Sequence, residues 1–214
     1  MSEQTPETRR RDRRVEMIAA ILLSCATVLT AWSAYQATRW SGDQASDYTT
    51  ASALRTESVR ASTLANRQVL IDVETFLNCL DAQQQGDVQL ADDLHSRMRE
   101  EFLPAFDAWI ASAPDAEVPP GTPFALPEHR LAAEEQAKRL EARAAATFAD
   151  GTEANETGDD FVLAAVLFAS VLFFSGLAGT LDSLRPQVLL LSLAGLMLVG
   201  GAIIVVTLPQ NVGF

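Results

Sequence analysis

Lysine occurs once in this chain, at Lys138, beside 15 arginines, and there are only two cysteines and two histidines. Two cysteines exclude a disulfide scaffold, and two histidines leave little for a histidine-rich metal centre. Proline is absent from Thr38 to Gln85 yet occurs five times between Ala113 and Pro127. Charge is missing from three whole stretches, Met17 to Thr38, Phe161 to Leu181 and Pro186 to Phe214. Neither an ordinary water-soluble globule nor a disordered acidic chain distributes its charge in this way. The net charge of −12 argues against nucleic acid as a partner, because phosphate recognition needs a basic surface.

What fills the charge-free stretches is apolar. A bilayer core about 30 Å thick takes roughly 20 apolar residues in a helix, and three segments qualify: Met17–Tyr35, Phe161–Leu181 and Val188–Leu208. Buried helices of soluble proteins are shorter and keep a polar face. The second and third segments are so close in sequence that they must form a tight antiparallel hairpin, with Pro186 suited to the first helical turn after it. The first could instead be a cleaved signal peptide, but its apolar run exceeds the roughly 7–15 residues of a signal core.

Arginine sets the expected orientation. Arg9, Arg10, Arg11, Arg13 and Arg14 precede the first span and Arg185 lies in the hairpin loop, which places both in the cytoplasm; Arg39, just beyond the first span, is the one conflict. Trp32, Tyr35 and Trp40 form an aromatic belt at the outer end, and with Arg14 and Arg185 they are the expected interface anchors. The expected organisation is therefore a basic tail over 1–16, spans over 17–36, 159–181 and 188–208, a cytoplasmic loop over 182–187 and an extracytoplasmic module over 37–158.

That module is expected to be helical. Residues 36–160 carry ten Lys and Arg against 23 Asp and Glu, a net of −13. A long helix is expected to about residue 85, on which Val69, Val73, Phe76 and Leu80 share a face. Gly86 and Asp87 then mark a stop and a new N-cap. A helix over 88–112 carries Leu90, Leu94, Met98, Phe102 and Phe106, with Pro104 kinking or restarting it. The Pro-rich stretch 113–127 is expected as a loop. A helix follows over 128–149, supported by the pairs Glu134–Lys138 and Glu135–Arg139, and then an acidic linker over 150–158. The fold class expected is all-α, with three transmembrane helices and an outer helical module between the first and second.

Ser33, Ala37, Ser41, Ala45, Thr49 and Ala53 place a small residue at every fourth position across the membrane surface. Small residues let another helix approach closely; the alternative is alanine-rich composition alone. Ser41 and Gln44 also fit a capping box that would start a new helix at Gly42, against which stands one long helix with room for a kink there. In the other spans Ser175 with Gly179, and the run Gly195, Gly200 and Gly201, offer further packing surfaces.

Catalytic patterns are missing. Asp92 and His95 sit three apart on one helix, but two ligands do not close a metal site. No Gly-rich phosphate loop and no H-E-x-x-H or G-x-S-x-G run occurs. The spans hold no ionisable residue of the kind that marks an ion pathway. Cys25 and Cys79 lie in separate regions; Cys79 is expected as a buried small residue or as the half of an intermolecular disulfide.

The segment WSAYQATRW, Trp32 to Trp40, ends the first span and opens the long helix. Together with the closing pair of spans it resembles an uncharacterised family of small bacterial membrane proteins with three spans and a W-x-x-Y-Q-A segment after the first. The resemblance implies location and architecture, and no activity. The expectation from sequence is a non-enzymatic inner-membrane protein without cofactor. It would be surrounded by membrane lipid and would act by helix–helix association, as a homo-oligomer or with a membrane-protein partner. The alternatives are a sensory or ligand-binding module working through a partner, and an accessory subunit of a transporter or channel.

Overall fold

The computed structural model describes residues 6–114, 118–181 and 183–212, and among these there is no strand. Five α-helices follow one another: α1 Pro6–Gln84, α2 Val88–Ser96, α3 Leu103–Ala111, α4 Ala132–Ala178 and α5 Leu184–Thr207, with a 3-10 turn at Pro123–Ala125. The chain divides into two compact units. One comprises the residues up to Thr49 and from Thr147 onward; the other is Thr50–Ala146.

In the first unit, α1, α4 and α5 each contain a stretch long and apolar enough to cross a membrane. Their shared core is Ala19, Leu22 and Ala26 of α1, Phe161, Phe168 and Val171 of α4, and Leu191, Ala194 and Val205 of α5. The outward residues are equally apolar, Val28, Val166, Leu196 and Val206 among them. A helix that is apolar all round belongs in a core or a membrane, so this unit has the composition of a multi-pass membrane protein.

The residues expected as an acidic linker, 150–158, are helical, and α4 runs through them without interruption. Gly151 gives part of the physical reason. A Cβ there would stand 2.8 Å from the Tyr48 ring, whereas one at Gly158 would make only ordinary contact, 3.5 Å from Trp40 Cβ. Glycine at 151 serves close approach rather than flexibility. Polar contacts along the same face complete the packing. Gln44 Nε2 donates to Asn155 Oδ1 at 2.7 Å, and the Tyr48 and Phe148 rings stack at 4.9 Å. Gln44 is thus engaged away from any capping box, and α1 continues past Ser41 and Gly42 as helix.

The buried positions of α4 step alternately by three and four: Gly151, Ala154, Gly158, Phe161, then Phe168 and Ser175. That spacing keeps a seam on one side of a helix, drifting only about 20° per seven residues. A strict i,i+4 stripe drifts about 40° at each step. The small-residue stripe therefore cannot face one straight neighbour along its whole length, and within this chain its burial changes along it. Ser33 is buried and Ala37 half-buried, while Ser41, Ala45, Thr49 and Ala53 are exposed.

The second unit is built on the α1 segment from Thr50. Ala61 packs with Ala137 and Leu140, and Ala65 packs with Leu131 and Ala133. Ser58 Oγ donates to the Ala137 carbonyl at 2.9 Å. Gly86, at φ 73°, turns the chain out of α1, and the Asp87 carboxylate caps α2 by accepting from Leu90 N–H at 3.0 Å. The helix expected over 88–112 is two helices. Pro104 stands in the first turn of α3, where its missing N–H costs nothing, and residues 97–102 make the turn before it. The last long helix begins at Ala132 rather than at residue 128.

An aromatic core closes this unit. Phe76, Met98, Phe102, Phe106 and Trp109 are buried together with Cys79. The Pro-rich loop contributes to it: Phe124 stacks on Phe102 at 5.0 Å, and the Pro120 carbonyl accepts from Trp109 Nε1 at 3.3 Å. Of the apolar positions expected to share one face, Phe76 is buried but Val69, Val73 and Leu80 are only half-buried, and Leu90 is exposed. On this part of α1, Asp72 and Cys79, each 1% exposed, lie deeper than any of these apolar residues.

Candidate functional site

The W-x-x-Y-Q-A segment carries a polar cluster in the first unit. Residues 32, 36, 39 and 43 step by four, three and four, so they share one face of α1. After α5 the chain turns extended at Leu208, and Pro209 cannot continue a helix. The residues that follow lie on that face. Trp32 Nε1 donates to Gln210 Oε1 at 3.0 Å. Asn211 N–H donates to Gln36 Oε1 at 2.9 Å, Arg39 Nη2 donates to Asn211 Oδ1 at 3.4 Å, and Asn211 Nδ2 donates to Asp43 Oδ2.

Gln36 is fully buried, and among the described residues its Nε2 has no hydrogen-bond partner, nor do the buried Ser33 Oγ and Trp40 Nε1. Burying such groups is costly unless they are paired. The bonds to Trp32, Gln36 and Asp43 together set where Gln210 and Asn211 lie along α1. Beside it opens a recess of about 390 Å³ lined by Trp40, Asp43, Asp47, Asp150, Glu153 and Pro209. Its carboxylates make it acidic, but no group of three or more His, Cys, Asp or Glu among the described residues could hold a metal ion.

The second unit has its own hollow, of about 340 Å³, lined by Cys79, Asp92, His95, Phe106, Asp107 and Ile110 among others. Asp92 and His95 do not act as a ligand pair. His95 Nε2 instead meets Asp107 Oδ1 at 3.1 Å, tying α2 to α3. The Cys79 thiol donates to the Ala91 carbonyl at 3.7 Å. Burial first, and the Asp92 charge second, hold its pKa above the ordinary value. A thiol kept protonated is a poor nucleophile, and at 1% exposure it has no access to a thiol of another chain.

Elsewhere in this unit, Asp72 is 1% exposed and takes a two-pronged bond from Arg99, Nε to Oδ1 at 2.9 Å and Nη2 to Oδ2 at 3.0 Å. Arg99 Nη1 reaches Glu101 at 2.9 Å. The Asp72 hydrogen bond raises the Arg99 pKa above its already high value, against the opposing pull of burial.

The other expected site residues are scattered. Trp32 and Tyr35 are a ring pair at 5.8 Å and are partly exposed, Trp40 is half-buried, and Arg185 is exposed in the first turn of α5. The Arg14 side chain lies outside the described residues, as does Asp182 of the expected loop. Ser175 is buried on α4 while Gly179, one turn on, is exposed. A Cβ at Gly195 or Gly200 would meet nothing within 4 Å, whereas one at Gly201 would stand 2.7 Å from the Phe168 ring. Gly201 is thus the packing glycine of α5. Gly151, Gly158, Gln36, Asn211 and the Asp72–Arg99 pair were not singled out by sequence. Only Gln36 carried a signal, as a polar residue inside an apolar run. No family model, no curated protein and no solved structure matches this chain.

Proposed function

We propose that the chain is a non-enzymatic integral protein of a bacterial inner membrane, a three-span protein of the W-x-x-Y-Q-A type. Its N-terminus and the loop around Arg185 face the cytoplasm, and its acidic helical module faces the periplasm. It acts by helix–helix association, with another copy or with a membrane-protein partner, and uses neither cofactor nor nucleic acid. The supporting observation is close helix contact at Gly151 and Gly201, where a Cβ would stand 2.8 Å and 2.7 Å from a neighbouring ring. Purification of the full chain from detergent tests this reading. The expected result is an assembly larger than one chain in its micelle, or co-elution with a membrane partner; a lone monomer that brings down nothing would reject it.

A second reading, a ligand-binding module working through a partner, draws on the hollow beside His95 and Asp107. A small molecule co-purifying with the protein would favour it.

The orientation has its own test. On a cysteine-free background, an impermeant thiol reagent applied to cells permeabilised only at the outer membrane should label Ser112→Cys and spare Ser183→Cys, because arginine concentrates on the cytoplasmic side. The reverse pattern would invert the topology.

A further inference from the structure

Two recesses in the first unit border the segment that follows α5. One, of about 470 Å³, is lined by Val28, Ala31, Trp32, Tyr35 and Val212. The other is the acidic recess of Trp40, Asp43, Asp47, Asp150 and Glu153, edged by Pro209. Positions 28, 32, 35 and 39 step by four, three and four, so Arg39 shares a face of α1 with the apolar recess. Asp43 stands one turn beyond Arg39, about 6 Å along the axis. Asn211 lies between the two, accepting from Arg39 and donating to Asp43.

Along α1 the order is thus apolar recess, guanidinium, carboxylates. A phospholipid in a leaflet has the same order: acyl chain in the hydrocarbon, phosphate at the surface, headgroup beyond it. Trp32 and Tyr35 stand where the first two meet, as aromatic residues do at a membrane interface. Arginine offers a phosphate directed N–H donors. The carboxylates one turn further attract a cation and repel an anion, and Trp40 adds an aromatic wall suited to a cation. We propose that this face binds a zwitterionic phospholipid. An acyl chain lies in the recess of Val28, Ala31 and Tyr35, the phosphate lies at Arg39, and the headgroup amine lies toward Asp43 and Asp47.

Charge selects this lipid over an anionic one. Residues 36–160 carry a net charge of −13, so an anionic headgroup held at Arg39 meets like charge beyond it, whereas an amine meets its opposite. The assignment also gives Arg39 a role. It is the arginine that conflicts with the expected orientation, and as a phosphate ligand it belongs at the outer surface. The wall of the recess is fixed as well, because the bonds of Gln210 and Asn211 to α1 hold the chain next to Val212. The volume lies within the roughly 300–1,000 Å³ of small-molecule sites.

The inference rests on the proposed membrane location and orientation, and not on helix association. The test titrates the full chain in detergent with a phosphatidylethanolamine and a phosphatidylglycerol of identical acyl chains, and counts bound lipid by native mass spectrometry. One phosphatidylethanolamine per chain should be held about tenfold more tightly than the phosphatidylglycerol. Arg39→Gln should weaken phosphatidylethanolamine about tenfold, and Arg39→Lys, which keeps the charge, should lose less. Asp47→Asn with Glu153→Gln should erase the preference between the two lipids. Ala31→Phe fills the apolar recess from an exposed position and should weaken both lipids alike. Equal retention of the two lipids by the unaltered chain would mean annular lipid only and overturn the proposal, as would full binding by Ala31→Phe or by Arg39→Gln. A chain that needs detergent yet shows no headgroup preference loses this site alone; a chain that stays soluble without detergent loses the membrane location as well.

Discussion

Gly201→Leu is expected to be among the most damaging single substitutions in the membrane-spanning part, and Gly200→Leu, its neighbour, close to neutral. A Cβ at Gly201 would sit 2.7 Å from the Phe168 ring, while one at Gly200 would meet nothing within 4 Å. Phe168 is fully buried and packed among Val171, Ala194 and Val205, so its ring cannot swing clear. Overpacking of this kind typically costs about 1–3 kcal/mol. Both changes gain the same helix propensity, since each replaces glycine by leucine, and any difference between them is therefore a packing difference. Thermal denaturation in detergent reads it directly: a drop of several degrees for Gly201→Leu and little change for Gly200→Leu. Equal behaviour of the two variants would remove the close contact of α4 and α5 at Phe168.

The second large effect is expected at Asp72. Its carboxylate is buried and takes both prongs of Arg99. Removing one partner of a buried ion pair costs about 3–5 kcal/mol, because the other charge is left uncompensated. Asp72→Ala should fall toward the lower end of that range, since Arg99 keeps its bond to Glu101 and its side chain is 23% exposed. Replacing both residues at once, Asp72→Leu with Arg99→Met, removes the desolvation burden as well as the attraction, and should recover most of the loss. A double-mutant cycle on the full chain, followed by urea denaturation of the helical signal, measures the coupling. If the double replacement is as unstable as the sum of the singles, the pair is not acting as one unit.

The bilayer-scale features were legible in one dimension. Charge-free runs of about 20 residues can only be buried or lie in lipid, and the apolar stretches of α1, α4 and α5 follow from that alone. Gly86 and Asp87 likewise carry their stop and cap in their own chemistry, a positive φ at one and a side-chain acceptor at the other. The candidate site was half visible. Trp32, Tyr35 and Gln36 stand out inside their run, but the partner that satisfies Gln36 is Asn211, 175 residues further on, and no local pattern points so far along the chain.

Composition alone determined what must leave water; the tertiary structure decided which side of each helix met which neighbour. Gly151 in a polar run denotes a flexible linker or a close contact with equal force until Tyr48 is found beside it. Ser33 and Ser41 belong to one small-residue stripe, yet the first is buried and the second exposed, because a helix turns 100° per residue and only the packing of α4 and α5 fixes the buried side. Asp72 has the sequence context of a solvated carboxylate. It is buried because Arg99, in the turn between α2 and α3, arrives with a guanidinium geometry that fits both of its oxygens.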